Sequence, residues 1–430
     1  MRTTVTVVGG GLAGLTAATT AARAGARVTL LEARTTLGGR ARTHDEDGFW
    51  LNEGAHALSA GGAGISVLRR LGIEPAGRRP DTSPTYGRLR GRIGLLPNTP
   101  VEAFRSRLIG PRAKAQLARR LGRPAALLQR DTTAMSMAQW IDELVTDDDA
   151  RLVVRMIARV ATYTDDPATL AADAVVPHMV SALSAGVIYL DGGWQQLTDA
   201  LTDAARAAGV EIVTNSKVTS IAELDGSGAP DAVIYAAGGP AQAATFLNGR
   251  SEAAAGWSGA VAVRAAALDL GLRRLPRPDR RVVFGVDEPL YLSTHTPAAR
   301  LADSGGEVVH LLHYGAGDNA RAAMESLLDD AQPGWRDHVV VERFSRWLLV
   351  AHDRPGPGRG LTARPPAAVP DYPGLFLAGD WVGPVGLLAD AALASAHQAA
   401  LLAIDKSPPT ASLQPVARLE PTSGASHDRT

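Results

Sequence analysis

The sequence predicts an α/β protein in which a parallel sheet flanked by helices is interrupted by two long insertions, which together make an α+β unit with a sheet covered by helices. Three observations predict it. Strand, glycine turn, helix and second strand follow one another in VTVVGGGLAGLTAATTAARAGARVTLLE, residues 5–32. Another strand, turn and helix follow in PGLFLAGDWVGPVGLLADAALASAHQAALLAI, residues 373–404. Between them, helical periodicity and strand alternation separate into different stretches. With 430 residues, 45% of them hydrophobic, the chain can bury two cores.

The opening unit starts with a buried strand at Val5–Val8, and Gly9, Gly11 and Gly14 complete GxGxxG as the chain turns into a helix. One glycine permits the tight turn, one lets backbone approach a pyrophosphate, and one lets helix pack on strand. The helix N-terminus adds free N–H groups and a positive dipole. Gly25 caps the helix, and RVTLLE forms a second strand that ends in Glu32, where a carboxylate can bind ribose hydroxyls. Glycine-rich turns also arise for packing alone, but the complete set reads as a Rossmann-like dinucleotide unit.

Directly after Glu32 comes ARTTLGGRARTH, in which Gly38 and Gly39 can bring backbone close to a ligand and Arg40 can reach the pyrophosphate as a fixed cation. This GGR segment resembles the flavin amine oxidase and phytoene desaturase superfamily, as does the following GFWLNEGAHAL. The resemblance makes Gly54, Ala55 and His56 candidates for the wall beside the isoalloxazine. Residues 373–404 resemble the superfamily's C-terminal flavin motif, which implies that Gly379 ends a strand, that Asp380 binds the ribityl chain, and that Leu388 and Ala389 at the helix start face the flavin's pyrimidine edge. A nicotinamide dehydrogenase has no such returning segment, so the two ends together imply FAD.

Two intermediate pieces agree. Residues 191–221 read as a glycine pair, an amphipathic helix ended near Gly209, and two short strands, the second of which the resemblance brings past the adenine at Val218. DAVIYAAGG, residues 231–239, reads as another parallel strand. The expected FAD-binding domain is therefore discontinuous, at about 1–75, 186–250 and 357–405, and the substrate domain takes 76–185 and 251–356. The first insertion reads as largely helical, with Ser136 and Gln139 spaced as a capping box and a helical period through RLVVRMIARVATY. The second alternates like a sheet in RRVVFGV, PLYLSTH and GEVVHLLHYG. The Pro/Ser/Thr-rich tail, 406–430, reads as disordered.

Lys+Arg and Asp+Glu are equal at 44 each, so no global field favours nucleic acid. The chain has no cysteine, which excludes disulfides, thiolate metal sites and a thioether-linked cofactor; with no evident histidyl attachment motif, FAD is expected to be non-covalent. No leader-like start and no membrane-spanning apolar run is evident, and a cytoplasmic protein is expected. FRSRLIGPRAKAQLARRLGRPAALLQR, residues 104–130, carries eight basic residues and no acidic one. It reads as a solvated basic helical face or as a peripheral contact with an anionic membrane.

The chemistry is less legible. A single GxGxxG argues against a reductase with two dinucleotides, so the electron acceptor is expected to be dioxygen, a quinone or a carrier protein. His295, His310 and His313 fall near or on predicted strands with Tyr291 and Tyr314, but no carboxylates stand at metal-site spacing and no metal is expected. Tyr291, His295 and His313 are candidate cavity-lining groups, each equally readable as a packed ring; His56, Tyr291 and His295 are the catalytic candidates. Amine oxidases of the superfamily place a lysine near the flavin from the second insertion, whereas Lys114, Lys217 and Lys406 are the chain's only lysines. That departure favours the phytoene desaturase side, with hydride leaving a carbon of a largely apolar small molecule. Amine oxidation comes next, then a non-redox flavoenzyme or an escort protein of the GDP dissociation inhibitor type.

Overall fold

The computed structural model describes residues 2–81, 84–97, 99–296, 298–303, 305–315 and 317–405. The tail expected to be disordered, with Lys406, lies outside them.

Five parallel strands form one sheet in the order Glu211–Val213, Arg27–Leu31, Thr4–Val8, Ala232–Tyr235 and Leu375–Leu377. They are short and mostly apolar because helices cover the sheet. Leu12–Arg23 is built largely of buried alanine and threonine, small enough for the helix to lie closely against both Gln195–Ala207 and Leu388–Ile404. From Thr4–Val8 the sheet grows first one way and then the other, so the order reverses between this strand and Ala232–Tyr235. The crevice at the carboxyl ends of strands, where the order reverses, is where such sheets bind ligands. Segments from residues 9, 236 and 378 converge there: Gly9 donates to the Leu31 carbonyl, Ala236 to Val8 and Ala378 to Tyr235.

The second sheet has seven strands, in the order Val339–Ala351, Val263–Leu272, Glu307–Tyr314, Leu290–Thr294, Val282–Gly285, Tyr86–Leu89 and Arg92–Leu95. The period of two divides its central strands between two faces. Leu268, Leu270, Val309, Leu311 and Leu292 pack with Met324, Leu327 and Leu328 of the helix Ala320–Ala331. The alternate residues Ala267, Asp269, His310, Leu312, Tyr314, Tyr291 and Ser293 are left for the opposite face. A helical layer with its own core includes Met137–Leu144 and Asp148–Thr162, the former opened by reciprocal Ser136–Gln139 capping.

The largely helical first insertion also carries two unforeseen strands, and one expected strand is missing. The first insertion is not helical throughout: Tyr86–Leu89 and Arg92–Leu95 form a hairpin that pairs with Val283–Gly285. Four-residue strands containing glycine carry little signal of their own and are specified by the neighbour they pair with. The strand expected around Val218 does not form either. Residues 216–220 run without regular structure into a 3-10 turn at Ile221–Leu224, where Ser220 and Glu223 cap the turn rather than extending a ladder.

Candidate functional site

The GxGxxG turn is shaped by close backbone approach. A Cβ on Gly14 would stand 1.8 Å from the Gly9 carbonyl oxygen, and one on Gly9, whose φ is +107°, 2.8 Å from that of Ala236. Gly11 differs: a Cβ there would meet only the Gly38 oxygen at 3.9 Å, and one on Gly39 only Gly11 at 3.5 Å. Gly9 and Gly14 are thus closed by protein, whereas Gly11 and Gly39 border a cradle of bare backbone. The helix Leu12–Arg23 has no side-chain cap, which leaves its first amides to face that cradle. Glu32 borders the same turn, its two carboxylate oxygens accepting from Gly10 N at 2.6 Å and Arg34 N at 2.8 Å. A pyrophosphate with its adenosine ribose fits this donor set. Val218 is half-buried against the parallel-sheet core on that side.

The two motifs at the ends of the chain meet through side chains. Arg40 donates to Asp380 at 2.9 Å and to the Val350 carbonyl at 2.6 Å. His352 contributes its backbone N–H, 3.2 Å from Asp380, and its ring Nδ1, 2.8 Å from the other carboxylate oxygen. Burial alone would raise the Asp380 carboxyl pKa, but the Arg40 charge and His352 outweigh it and hold the group well below the usual range. Arg40, expected to reach the pyrophosphate as a fixed cation, is held by Asp380 and stays 38% exposed. Gly379 donates to Ser395 Oγ at 3.0 Å, and Trp381 donates to the Gly238 carbonyl at 3.1 Å, tying the motif to the neighbouring strand.

Leu388 opens the last helix with φ +54°, a strained backbone for a non-glycine residue, and this N-terminus also lacks a side-chain cap. Asp390, two residues on, does not cap its own helix. It accepts from Gly64 N at 2.8 Å, and burial pushes its carboxyl pKa up to about 6.

The segment Gly54–His56 joins the two halves of the molecule. Gly54 has φ +81°, and a Cβ there would stand 2.7 Å from Leu348 of the long edge strand. Its amide lies 3.4 Å from Asp269, the Ala55 carbonyl accepts from Tyr163 OH at 3.0 Å, and His56 meets Trp194 edge-on at 5.0 Å. Around Ala55 gather Tyr163, Tyr291, Tyr314, Leu312, Leu348 and Ala267. Tyr189 stacks on His295 at 3.8 Å, and His295 meets His310 edge-on at 4.4 Å. Burial raises the phenol pKa of Tyr163, Tyr189, Tyr291 and Tyr314 and lowers that of the His56 and His295 imidazoles, so these rings are neutral near pH 7. His313, on the other face of its strand, turns to the Gly315 carbonyl and does not join them.

The structure thus brings His56, Tyr291 and His295 into one neighbourhood, in line with Gly54 and Ala55. The sequence reading missed Tyr163, Tyr189, Asp269, Arg343 and His352, which lie in no motif; the only signal for Asp269 was an acid in an otherwise apolar run, AAALDLGL. Among the described residues no group of three or more His, Cys, Asp or Glu is arranged to hold a metal, and no helix is long and apolar enough to cross a membrane.

The family model described as flavin containing amine oxidoreductase matches residues 12–245. A mitochondrial protoporphyrinogen oxidase from Nicotiana tabacum is 30% identical over 115 residues, 26% of this chain and 23% of that protein. An oxidoreductase from Methanosarcina mazei superposes with a TM-score of 0.73 at 19% identity, over 92% of this chain and 99% of the other. Wild-type putrescine oxidase bound to putrescine superposes with a TM-score of 0.68 at 18% identity, over 93% and 98% respectively.

Proposed function

This chain belongs to the family of flavin-containing amine oxidoreductases and is a flavin-dependent oxidoreductase; from that premise we propose that it binds FAD non-covalently and dehydrogenates a largely apolar small molecule. The observation that carries this reading is the neutral aromatic surround of Gly54–His56. Four tyrosines and two histidines stand there uncharged, and Asp269 is paired with Arg343 behind them. No lysine of the described residues joins them: Lys114 donates to the Ser106 carbonyl at 2.6 Å, and Lys217 is exposed in the segment after Glu211–Val213. Such a surround favours an uncharged carbon skeleton and excludes water, so alignment of the reacting carbon carries most of the rate.

When bound, FAD supplies a two-electron acceptor for hydride. In this reading Gly11, Gly39 and the first helix hold the pyrophosphate, Glu32 the adenosine ribose, Asp380 the ribityl chain, and the uncapped turn at Leu388 and Ala389 the pyrimidine edge. His56, Tyr291 and His295 shape the substrate side. The electrons then pass to dioxygen, a quinone or a carrier protein. A second reading, amine oxidation, is favoured by the family and by the shared fold with putrescine oxidase. Anaerobic mixing of the FAD-loaded protein with polyene, hydroxylated and amine probes decides between them. Bleaching of the flavin by polyene or hydroxylated probes is expected, and bleaching by amines alone overturns the desaturase reading. Denaturation and filtration should release the yellow colour; colour retained on the chain overturns non-covalent binding.

We further infer that the basic segment 104–130, with the exposed Val101 just before it, touches an anionic membrane surface. Val101 and Phe104 are 64% and 91% exposed in the helix Pro100–Arg105, and Leu128 is 52% exposed. Arg105, Arg107, Arg112, Arg119 and Arg123 are exposed nearby along the chain. Apolar side chains interleaved with arginine suit a headgroup layer. Salt-sensitive sedimentation with anionic vesicles, lost when Arg112, Arg119, Arg120 and Arg123 are neutralised together, is expected; identical sedimentation of variant and wild type leaves a solvated basic face.

A further inference from the structure

Three hydroxyls meet inside the uncharged surround. Tyr291 and Ser293 occupy alternate positions of Leu290–Thr294 and therefore share a face. Tyr189 reaches them from Val187–Leu190, a strand that pairs with Leu58–Ser59 just beyond His56 in the chain. Its hydroxyl lies 3.0 Å from Ser293 Oγ and 3.4 Å from Tyr291 OH. Both phenol rings are held by stacking, Tyr189 on His295 at 3.8 Å and Tyr291 on Phe284 at 5.2 Å. Tyr189 and Ser293 are buried, whereas Tyr291 is half-buried and packs beside Ala55, Leu312 and Tyr314.

Burying hydroxyls is unfavourable unless hydrogen bonds compensate, and this trio cannot compensate itself completely. Each hydroxyl brings one proton and two lone pairs, so Tyr189, Tyr291 and Ser293 together carry three donors and six acceptor sites. Even a closed ring of mutual bonds uses three protons and three lone pairs, and the other three lone pairs are left without a donor. The partner that the trio lacks is therefore a donor. It is also an uncharged one. Burial raises the phenol pKa of Tyr189 and of Tyr291, so the trio carries no negative charge near pH 7 to meet a cation. Asp269, which the strand register places beyond His310, has one oxygen against His310 and the other against Arg343. An ammonium brought to the trio would lose its hydration without a free counter-ion, whereas an alcohol gives up much less.

We propose that the trio is a specificity site for an alcohol: the substrate is a largely apolar molecule bearing a hydroxyl group, and that hydroxyl donates to the Tyr291 oxygen. Tyr291 makes the contact because it is the one member of the trio that is not fully buried; Tyr189 and Ser293 position its oxygen. The proposal rests on the reading of the surround of Gly54–His56 as the substrate side, and it narrows the substrate from any apolar molecule to an alcohol. The remaining walls beside Tyr291, Ala55, Leu312 and Leu348, are apolar and fit the carbon skeleton. One directional bond at the hydroxyl and shape along the skeleton together fix how the molecule lies, which neither does alone.

The test uses the FAD-loaded protein and two matched series, farnesol and phenethyl alcohol, each with its methyl ether, its parent hydrocarbon and the corresponding primary amine. Binding is read anaerobically as a change in the flavin absorption spectrum, and stopped-flow follows any flavin reduction. In at least one series the alcohol should bind about 10- to 100-fold more tightly than the hydrocarbon, with the ether, which cannot donate, close to the hydrocarbon. Tyr291→Phe keeps the ring and should bring that preference below about threefold while the Kd of the hydrocarbon is unchanged. Ser293→Ala should reduce the preference in part. A purely structural role for the hydroxyls would instead weaken all four ligands alike. Equal affinity for alcohol and hydrocarbon in both series, tighter binding of the amine, or the full preference retained in Tyr291→Phe overturns the proposal. Binding and turnover are read separately: alcohols that bind with this preference but bleach no flavin overturn the oxidation reading and leave the specificity site standing.

Discussion

Two clusters of the same composition stand on either side of the segment Gly54–His56. At the carboxyl ends of the parallel strands Arg40, Asp380 and His352 form one; on the antiparallel sheet Arg343, Asp269 and His310 form the other. In both, one carboxylate is shared by a guanidinium and an imidazole and is held ionised against burial. Their solvent contact differs. The two carboxylates are equally buried, but Arg40 is 38% exposed against 21% for Arg343, and His352 15% against 0% for His310. The first cluster can reorganise toward a ligand because water reaches its cation. The second is more enclosed, with Arg343 as its only partly exposed member, so it contributes a more fixed geometry, and removing the carboxylate leaves the buried His310 without its partner.

That contrast can be broken by mutation, and the more enclosed cluster should give the largest effect. Asp269→Ala leaves Arg343 and His310 facing each other without a carboxylate and should destabilise the fold by about 3–5 kcal/mol in denaturant unfolding. A loss below about 1 kcal/mol would mean that the cluster is solvated and the contrast false.

Asp390 sharpens the comparison, being a buried carboxyl without a cation partner among the described residues. Its folded pKa, about 6, lies above its ordinary value of 3.8. The stability linked to it is therefore fully present below about pH 4 and lost as pH rises through about 6. Asp390→Asn removes this dependence and should gain up to about 3 kcal/mol over wild type at pH 8, with the gain disappearing at pH 4. A pH-independent difference in thermal unfolding would assign the effect to packing.

On the cofactor side, Asp380→Ala should leave the fold in place yet weaken FAD by about 1.5–3 kcal/mol, roughly 10- to 100-fold in Kd, because a charged acceptor is lost. Fluorescence titration of the apoprotein measures it; unchanged affinity places the ribityl contact elsewhere. The smallest effect is expected between the clusters. Tyr163→Phe removes one hydrogen bond to the Ala55 carbonyl and should cost about 1 kcal/mol of stability with little change in FAD affinity.

The two clusters also differ in how far they could be read in the sequence. Arg40 and Asp380 sit in glycine-marked segments that resemble the superfamily's flavin motifs, so both could be named in advance. Their mutual ion pair could not, because 340 positions separate them and nothing local requires it. His352, three residues before Pro355, carries no local signal. In the second sheet, His310 was visible as a histidine in an alternating strand, but His313, three residues on, was equally visible and faces the opposite side. Asp269 becomes a partner of His310 only through antiparallel register with a strand some 40 residues away. Likewise the hairpin Tyr86–Leu89 and Arg92–Leu95 was hidden because its sheet partner, Val283–Gly285, comes from the other insertion.

The flavin motifs at the two ends were legible through their resemblance to the superfamily, while spacing and residue type were enough for the α/β class, the glycine cradle, the acid at Glu32 and the shortage of lysine. Each follows from short-range backbone geometry or composition, which a linear chain already specifies. The sharing of Asp380 between Arg40 and His352, the cross-strand pairing of Asp269 with Arg343 and His310 and the uncharged state of the tyrosines, His56 and His295 arise from contacts between distant segments. Strand register selects which polar groups meet, and burial selects which of them keep a charge; neither quantity exists until the two sheets are packed.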